Sequence, residues 1–132
     1  MYEACEKIKL TDGGRTTVIE VSSFDGLENV EVEAILKRSN GMTKKGTWTG
    51  VRLADLLDAN GVSRPFEQLK FEAWDGYVGR VDYETAVLPD TIMATSQDGG
   101  GIPREDGPTR LVVASQDGFY WVRMITALEV LR

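Results

Sequence analysis

A chain of 132 residues, 42% hydrophobic and 27% charged, has the length and composition of one folded domain that buries roughly two-thirds of its unfolded surface around one core. Its net charge of -6 argues against nucleic acid as a partner, because neutralising phosphates takes a basic surface, and no apolar run approaches the ~20 residues of a membrane-spanning helix. The complete absence of histidine excludes Ser-His-Asp and Cys-His nucleophile systems, histidine metal sites and imidazole acid-base catalysis.

The opening MYEACEKIKL lacks the basic and apolar regions of an export signal, so a cytoplasmic location is the expectation. Ile8 to Leu10 and Thr16 to Val21 are rich in β-formers and flank Asp12-Gly13-Gly14, which predicts a hairpin. Ser22 or Ser23 suits the cap of a brief helical turn through Leu27. VEVEAIL, residues 30 to 36, alternates apolar and acidic residues as a half-buried strand does. The stretch from Lys37 to Arg52 holds five basic residues and no acidic one, and reads as a solvated loop leading into a helix.

That helix is predicted over Val51 to Asn60, with Leu53, Leu56 and Leu57 on one face and Thr49 or Gly50 as its N-cap. With Gly61 left-handed after the C-cap, Val62 can touch Leu57 in a Schellman motif. Leu69 to Trp74 and Val78 to Tyr83 bracket Asp75-Gly76 as a second hairpin. Tyr83 to Leu88 reads as a short helix stopped before Pro89, and Thr91 to Thr95 suits strand or helix. Arg110 to Ala114 reads as a buried strand, and Tyr120 to Leu131 as an apolar segment ending in a final strand. These alternations predict an α+β domain over residues 1–132 with mixed sheets, hairpins and a few short helices.

The tetrapeptide SQDG occurs at Ser96 to Gly99 and at Ser115 to Gly118, yet Asp-Gly occurs six times in the chain. Aspartate followed by glycine suits turns that need positive φ, so the two copies read as turns rather than a repeated grip. Gly99-Gly100-Gly101 runs into Ile102-Pro103 without a helix behind it and reads as a flexible turn, not a phosphate cradle. The lone Cys5 has no histidine to activate it and sits near the N-terminus, where chains are often loosely held. It reads as an incidental thiol.

Three ordered stretches, WTGVRLADLLDANGV (48–62), FEAWDGYVGRV (71–81) and IMATSQDGGGIPREDGPTRLVVASQDGFYWVRMITALEV (92–130), resemble the molybdopterin-binding domain of sulfite oxidase and its relatives over about two-thirds of the chain. In that family a W-x-G-V helix, a DGY hairpin, a P-x-R-L-V-V segment and a terminal W-V-K segment follow in this order. The resemblance implies the mixed α/β sulfite oxidase fold, with molybdopterin as cofactor and a cysteine thiolate on molybdenum. It assigns Arg110 and Arg123 to the anionic cofactor, with Asn40, Lys44, Lys45 and Arg52 on the basic segment beside it.

Two departures qualify that implication. The family's C-x-G-N motif corresponds here to Lys37-Arg38-Ser39-Asn40, which has no thiolate, and its H-G-x-P-x-R histidine to Asp106, an anionic acceptor expected to repel a phosphate. The leading expectation is a binding domain for a pterin-type or other anionic small molecule without full redox catalysis. An oxidoreductase with a non-cysteine molybdenum site is the second reading. An interaction module that offers Trp48, Trp74, Tyr77, Phe119, Tyr120 and Trp121 to a protein partner is the third.

Overall fold

A computed structural model describes residues 2–37, 41, 43–115 and 121–132. Among the described residues, ten strands, two short α-helices and two 3-10 turns follow one another. The strands form two five-stranded sheets, and buried side chains from both sheets belong to one continuous core cluster.

The first sheet has the order β2-β1-β10-β5-β6. Strands β1 (Lys7–Asp12) and β2 (Arg15–Glu20) form the predicted hairpin, and Gly13 takes φ +62° at its tip. β5 (Gln68–Ala73) and β6 (Val78–Asp82) form the second, with Gly76 at φ +91°. Positive φ costs glycine little because no Cβ meets the neighbouring carbonyl. The last strand, β10 (Ile125–Leu131), joins the two hairpins, parallel to β1 and antiparallel to β5.

Arg132 locks this junction. Its Nε and Nη2 donate to the two Asp12 carboxylate oxygens at 3.0 Å each, the bidentate geometry in which guanidinium and carboxylate bind best. Hydrogen bonding by Arg132 holds the Asp12 carboxyl below its usual range. A depressed folded value means stability present above the unfolded carboxyl's pKa of about 3.9 and lost as pH falls through the folded value. Arg132→Ala is therefore expected to be less stable at neutral pH, by the small amount that a largely solvent-screened pair contributes. Denaturant melts taken at decreasing pH should show that gap closing below about pH 4.

The second sheet has the order β3-β4-β7-β8, with β9 paired to β7. β3 (Asn29–Lys37) alternates as expected, with Val32 and Ala34 buried between exposed Glu31 and Glu33. β4 (Thr43–Arg52) corrects the expected loop: most of the basic stretch is a strand, paired with β3 from Thr43 to Val51 and with β7 (Thr91–Gln97) from Trp48 to Arg52. The helix α1 accordingly starts later, at Leu53–Ala59, with Arg52 rather than Thr49 or Gly50 at its N-cap and no side chain capping it. Its C-terminus is as expected: Val62 N donates to Leu57 O and Gly61 N to Asp58 O, both at 3.1 Å, with Gly61 at φ +77°. The helix α2 is Tyr83–Ala86, capped by the Asp82 carboxylate on Thr85 N.

The first SQDG is a hairpin turn between β7 and β8 (Gly100–Gly101), with Asp98 at φ +51° and Gly99 at +83°. The stretch read as flexible is thus partly strand. In the second copy Gln116, Asp117 and Gly118 lie outside the described residues. β9 (Arg110–Val113) is buried at all four positions. The 3-10 turn Tyr2–Cys5 corrects the expectation for the N-terminus, because Cys5 is fully buried and its Sγ lies 3.5 Å from Met124 O.

Candidate functional site

Two of the six residues assigned to an anionic ligand meet at one point. Arg110 opens β9, beside Ala94 of β7, and its side chain is only 7% exposed. The segment 121–124 runs alongside, held by Leu111 N donating to Val122 O at 2.8 Å. This brings the Trp121 carbonyl to 3.2 Å from Arg110 Nη2 and places Arg123 at the rim, with its side chain 49% exposed.

Between the two guanidiniums stands Asp106. Its Oδ1 accepts from Arg123 Nη1 at 3.0 Å and its Oδ2 lies 3.5 Å from Arg110 Nη1. The backbone of Asp106 is pinned on both sides, its N–H donating to Pro103 O at 2.8 Å and its carbonyl accepting from Met124 N at 3.0 Å. The residue expected to repel a phosphate is thus the anion that the two arginines hold.

Met124 fixes the geometry from the other side. It takes φ +50°, a left-handed conformation unfavourable for a side chain of this size. Its carbonyl accepts from Trp74 N at 2.9 Å and faces the Cys5 thiol, so three neighbours over-determine a strained residue, as happens where a chain must present a particular side chain. Burial pushes the Cys5 thiol up, which keeps it protonated and a poor metal ligand.

The other assigned residues sit apart. Arg52 ends β4 and is ion-paired with Glu28 and, at 3.5 Å, with Asp55. Lys45 is exposed on β4 opposite Ile35, roughly 23 Å along the strand from Arg52 at about 3.3 Å per residue. The backbone of Lys44 pairs with Leu36, but its side chain and the whole of Asn40 lie outside the described residues. A surface cavity of about 340 Å³ is lined by Glu6, Lys7, Glu20, Val21, Ser22 and Pro108. It includes none of the six.

Of the aromatics considered for a partner surface, Trp48 and Trp121 are instead core. They meet edge to face with ring centres 5.1 Å apart, and Trp121 Nε1 donates to Val113 O at 2.8 Å. Trp74, Tyr77 and Val78 are exposed at the β5–β6 hairpin. Phe119 and Tyr120 lie outside the described residues.

The resemblance implies a cysteine thiolate, a soft ligand, on the dithiolene-held metal. Position 37, which corresponds to the family's cysteine, is lysine, Cys5 is committed to the Met124 carbonyl, and the described residues contain no group of three or more metal-ligating side chains. They do not fit a thiolate-ligated metal centre. At Asp106 two guanidiniums already hold a carboxylate.

Comparison with known proteins agrees with this architecture. The family model described as oxidoreductase molybdopterin binding domain matches residues 16–132. A putative protein-methionine-sulfoxide reductase subunit YedZ1 from Azospira oryzae is 30% identical over 91 residues, which cover 68% of this chain and 35% of that protein. The crystal structure of the sulfane dehydrogenase SoxCD from Paracoccus pantotrophus superposes with a TM-score of 0.84 over 95% of this chain and 38% of that one, at 19% identity. At that identity the likeness shows the fold, the mixed α+β architecture of the sulfite oxidase type, and the chain spans little more than a third of either relative.

Proposed function

Because the chain belongs to the oxidoreductase molybdopterin-binding domain family, we propose that it binds a small anionic ligand of the pterin class, gripped by Arg123 and Arg110. One observation carries this reading: two guanidiniums from separate segments converge on the two oxygens of a single carboxylate, the way an oxyanion is held. Asn40, Lys44, Lys45 and Arg52 belong in this reading to the basic segment that draws the anion in.

The test is equilibrium binding of molybdopterin and of a simple pterin monophosphate, followed by fluorescence, with wild type and Arg123→Ala. Arg123 is half-exposed, so its removal should leave the fold intact and weaken binding about tenfold or more, the effect of losing ~1.4 kcal/mol of charged contact. Equal affinity in the two proteins would rule the reading out. Native-host protein, denatured and oxidised, should release pterin fluorescence, and molybdenum in the same sample would point instead to an oxidoreductase.

A second reading has its own support. Trp74, Tyr77 and Val78 expose apolar surface on one hairpin, and YedZ1 is named as a subunit, which suits docking to a protein partner. Retention of every co-purifying protein by Trp74→Ala would remove that support.

A further inference from the structure

We propose that Asp106 is a built-in competitor for the anion site: its carboxylate occupies the place of a ligand oxyanion and must rotate away before one can bind. The inference rests on the reading that Arg110 and Arg123 form that site, and it goes further by naming the residue that sets the site's selectivity. An ordinary structural ion pair needs one cation, whereas Asp106 divides its two oxygens between two, one buried at 7% exposure and one open to solvent at 49%.

The backbone of Asp106 cannot leave, because both its N–H and its carbonyl are hydrogen-bonded. Only the side chain is free to turn, and at 14% exposure its carboxylate is still touched by solvent. Arg123 presents a guanidinium with five donors, of which one is used on Asp106. An incoming oxyanion can therefore engage Arg123 first and take over the contact with Arg110 as the carboxylate turns out. With the carboxylate in place the cluster carries a net charge of about +1. Two anions a few ångströms apart repel appreciably even in a well-solvated setting, so small oxyanions are selected against. A larger ligand, able to add stacking or hydrogen bonds elsewhere, can afford the displacement.

The experiment compares wild type, Asp106→Asn and the double variant Asp106→Asn/Arg123→Ala, with inorganic phosphate, sulfate and a pterin monophosphate as probes in titration calorimetry. Asparagine keeps the size and one acceptor oxygen but removes the charge. Asp106→Asn should bind phosphate and sulfate about tenfold or more tighter than wild type, and the double variant should lose that gain. The preference of wild type for the pterin ester over free phosphate should narrow in Asp106→Asn. Because Arg110 is buried, Asp106→Asn should also melt lower than wild type, and added phosphate should recover part of that loss by binding the folded state. This recovery is a readout even where the variant is too unstable for calorimetry. Equal phosphate affinity and equal thermal response in wild type and Asp106→Asn would overturn the competitor while leaving the site standing. Absence of binding by every probe to both proteins would overturn the site itself.

Discussion

Gly50→Ala is expected to destabilise the protein by about 3 kcal/mol or more, at or above the upper end of overpacking effects. Gly50 lies in β4 opposite Ala94 of β7, next to a shift of register between Thr49 and Gly50. A Cβ at this position would stand 2.1 Å from the Met93 carbonyl oxygen and 2.6 Å from the Ala94 Cα. Both obstacles are backbone, so no side chain can rotate to make room, and the two strands would have to part. The loss would spread, because β7 also carries β9 and with it Arg110. A denaturant titration followed by tryptophan fluorescence should show a large fall in midpoint. A change of only a few tenths of a kcal/mol would mean that the β4–β7 approach is looser than described.

Trp121→Ala is expected to cost about 4 kcal/mol, the usual loss for deleting a large buried aromatic side chain. Trp121 is 3% exposed, packs edge to face on Trp48 and donates its indole N–H to Val113 O. Truncation leaves a cavity and a buried carbonyl without that donor. Trp121→Phe separates the two effects, since it keeps most of the ring and loses about 1 kcal/mol with the hydrogen bond. Trp48→Phe is the contrasting control. The Trp48 indole nitrogen has no hydrogen-bond partner among the described residues, so its removal should cost less than removal of the Trp121 nitrogen, as thermal melts of the two variants would show. Similar losses from both would indicate a partner for Trp48 that this packing does not reveal.

The turns were the most legible part of the chain, because they are local. Asp12-Gly13-Gly14 and Asp75-Gly76 announce hairpins through glycines that supply positive φ, and Leu57, Gly61 and Val62 spell the end of α1 in residues that touch one another. β4 was hidden for the opposite reason. Its KKGTWTGVR has few apolar residues, two of its buried positions are Gly46 and Gly50, and its extended state is imposed by β3 along most of its length and by β7 over Trp48 to Arg52. The motif WTGV thus lies on a strand, and only the LADLLDA that follows is helical.

The site was half legible. Arg110 and Arg123 stood out by their place in a family pattern, and they do meet. Asp106, read as an obstacle to ligand, is what joins them; the segment 106–110 is not helical, so no helical spacing signals the pair, and only the fold shows that Arg123 completes the group. The burial of Cys5 is not legible from its place near the N-terminus, where chains are often loosely held. The parallel pairing of β1 with β10 carries that end against Met124, and no local pattern encodes such a contact.

The central place of β10 has a consequence for how the molecule is made. The hairpins β1–β2 and β5–β6 can each close as soon as they leave the ribosome, yet neither gains its neighbour until residues 125–131 have been synthesised. Until then each ribbon carries an unsatisfied edge, the first from residue 20 onward and the second from residue 82 onward, the state in which aggregation competes best. Pairings so distant along the chain also make refolding slow relative to helical proteins of this size. Chaperone demand during synthesis should accordingly exceed what the stability of the finished protein would suggest.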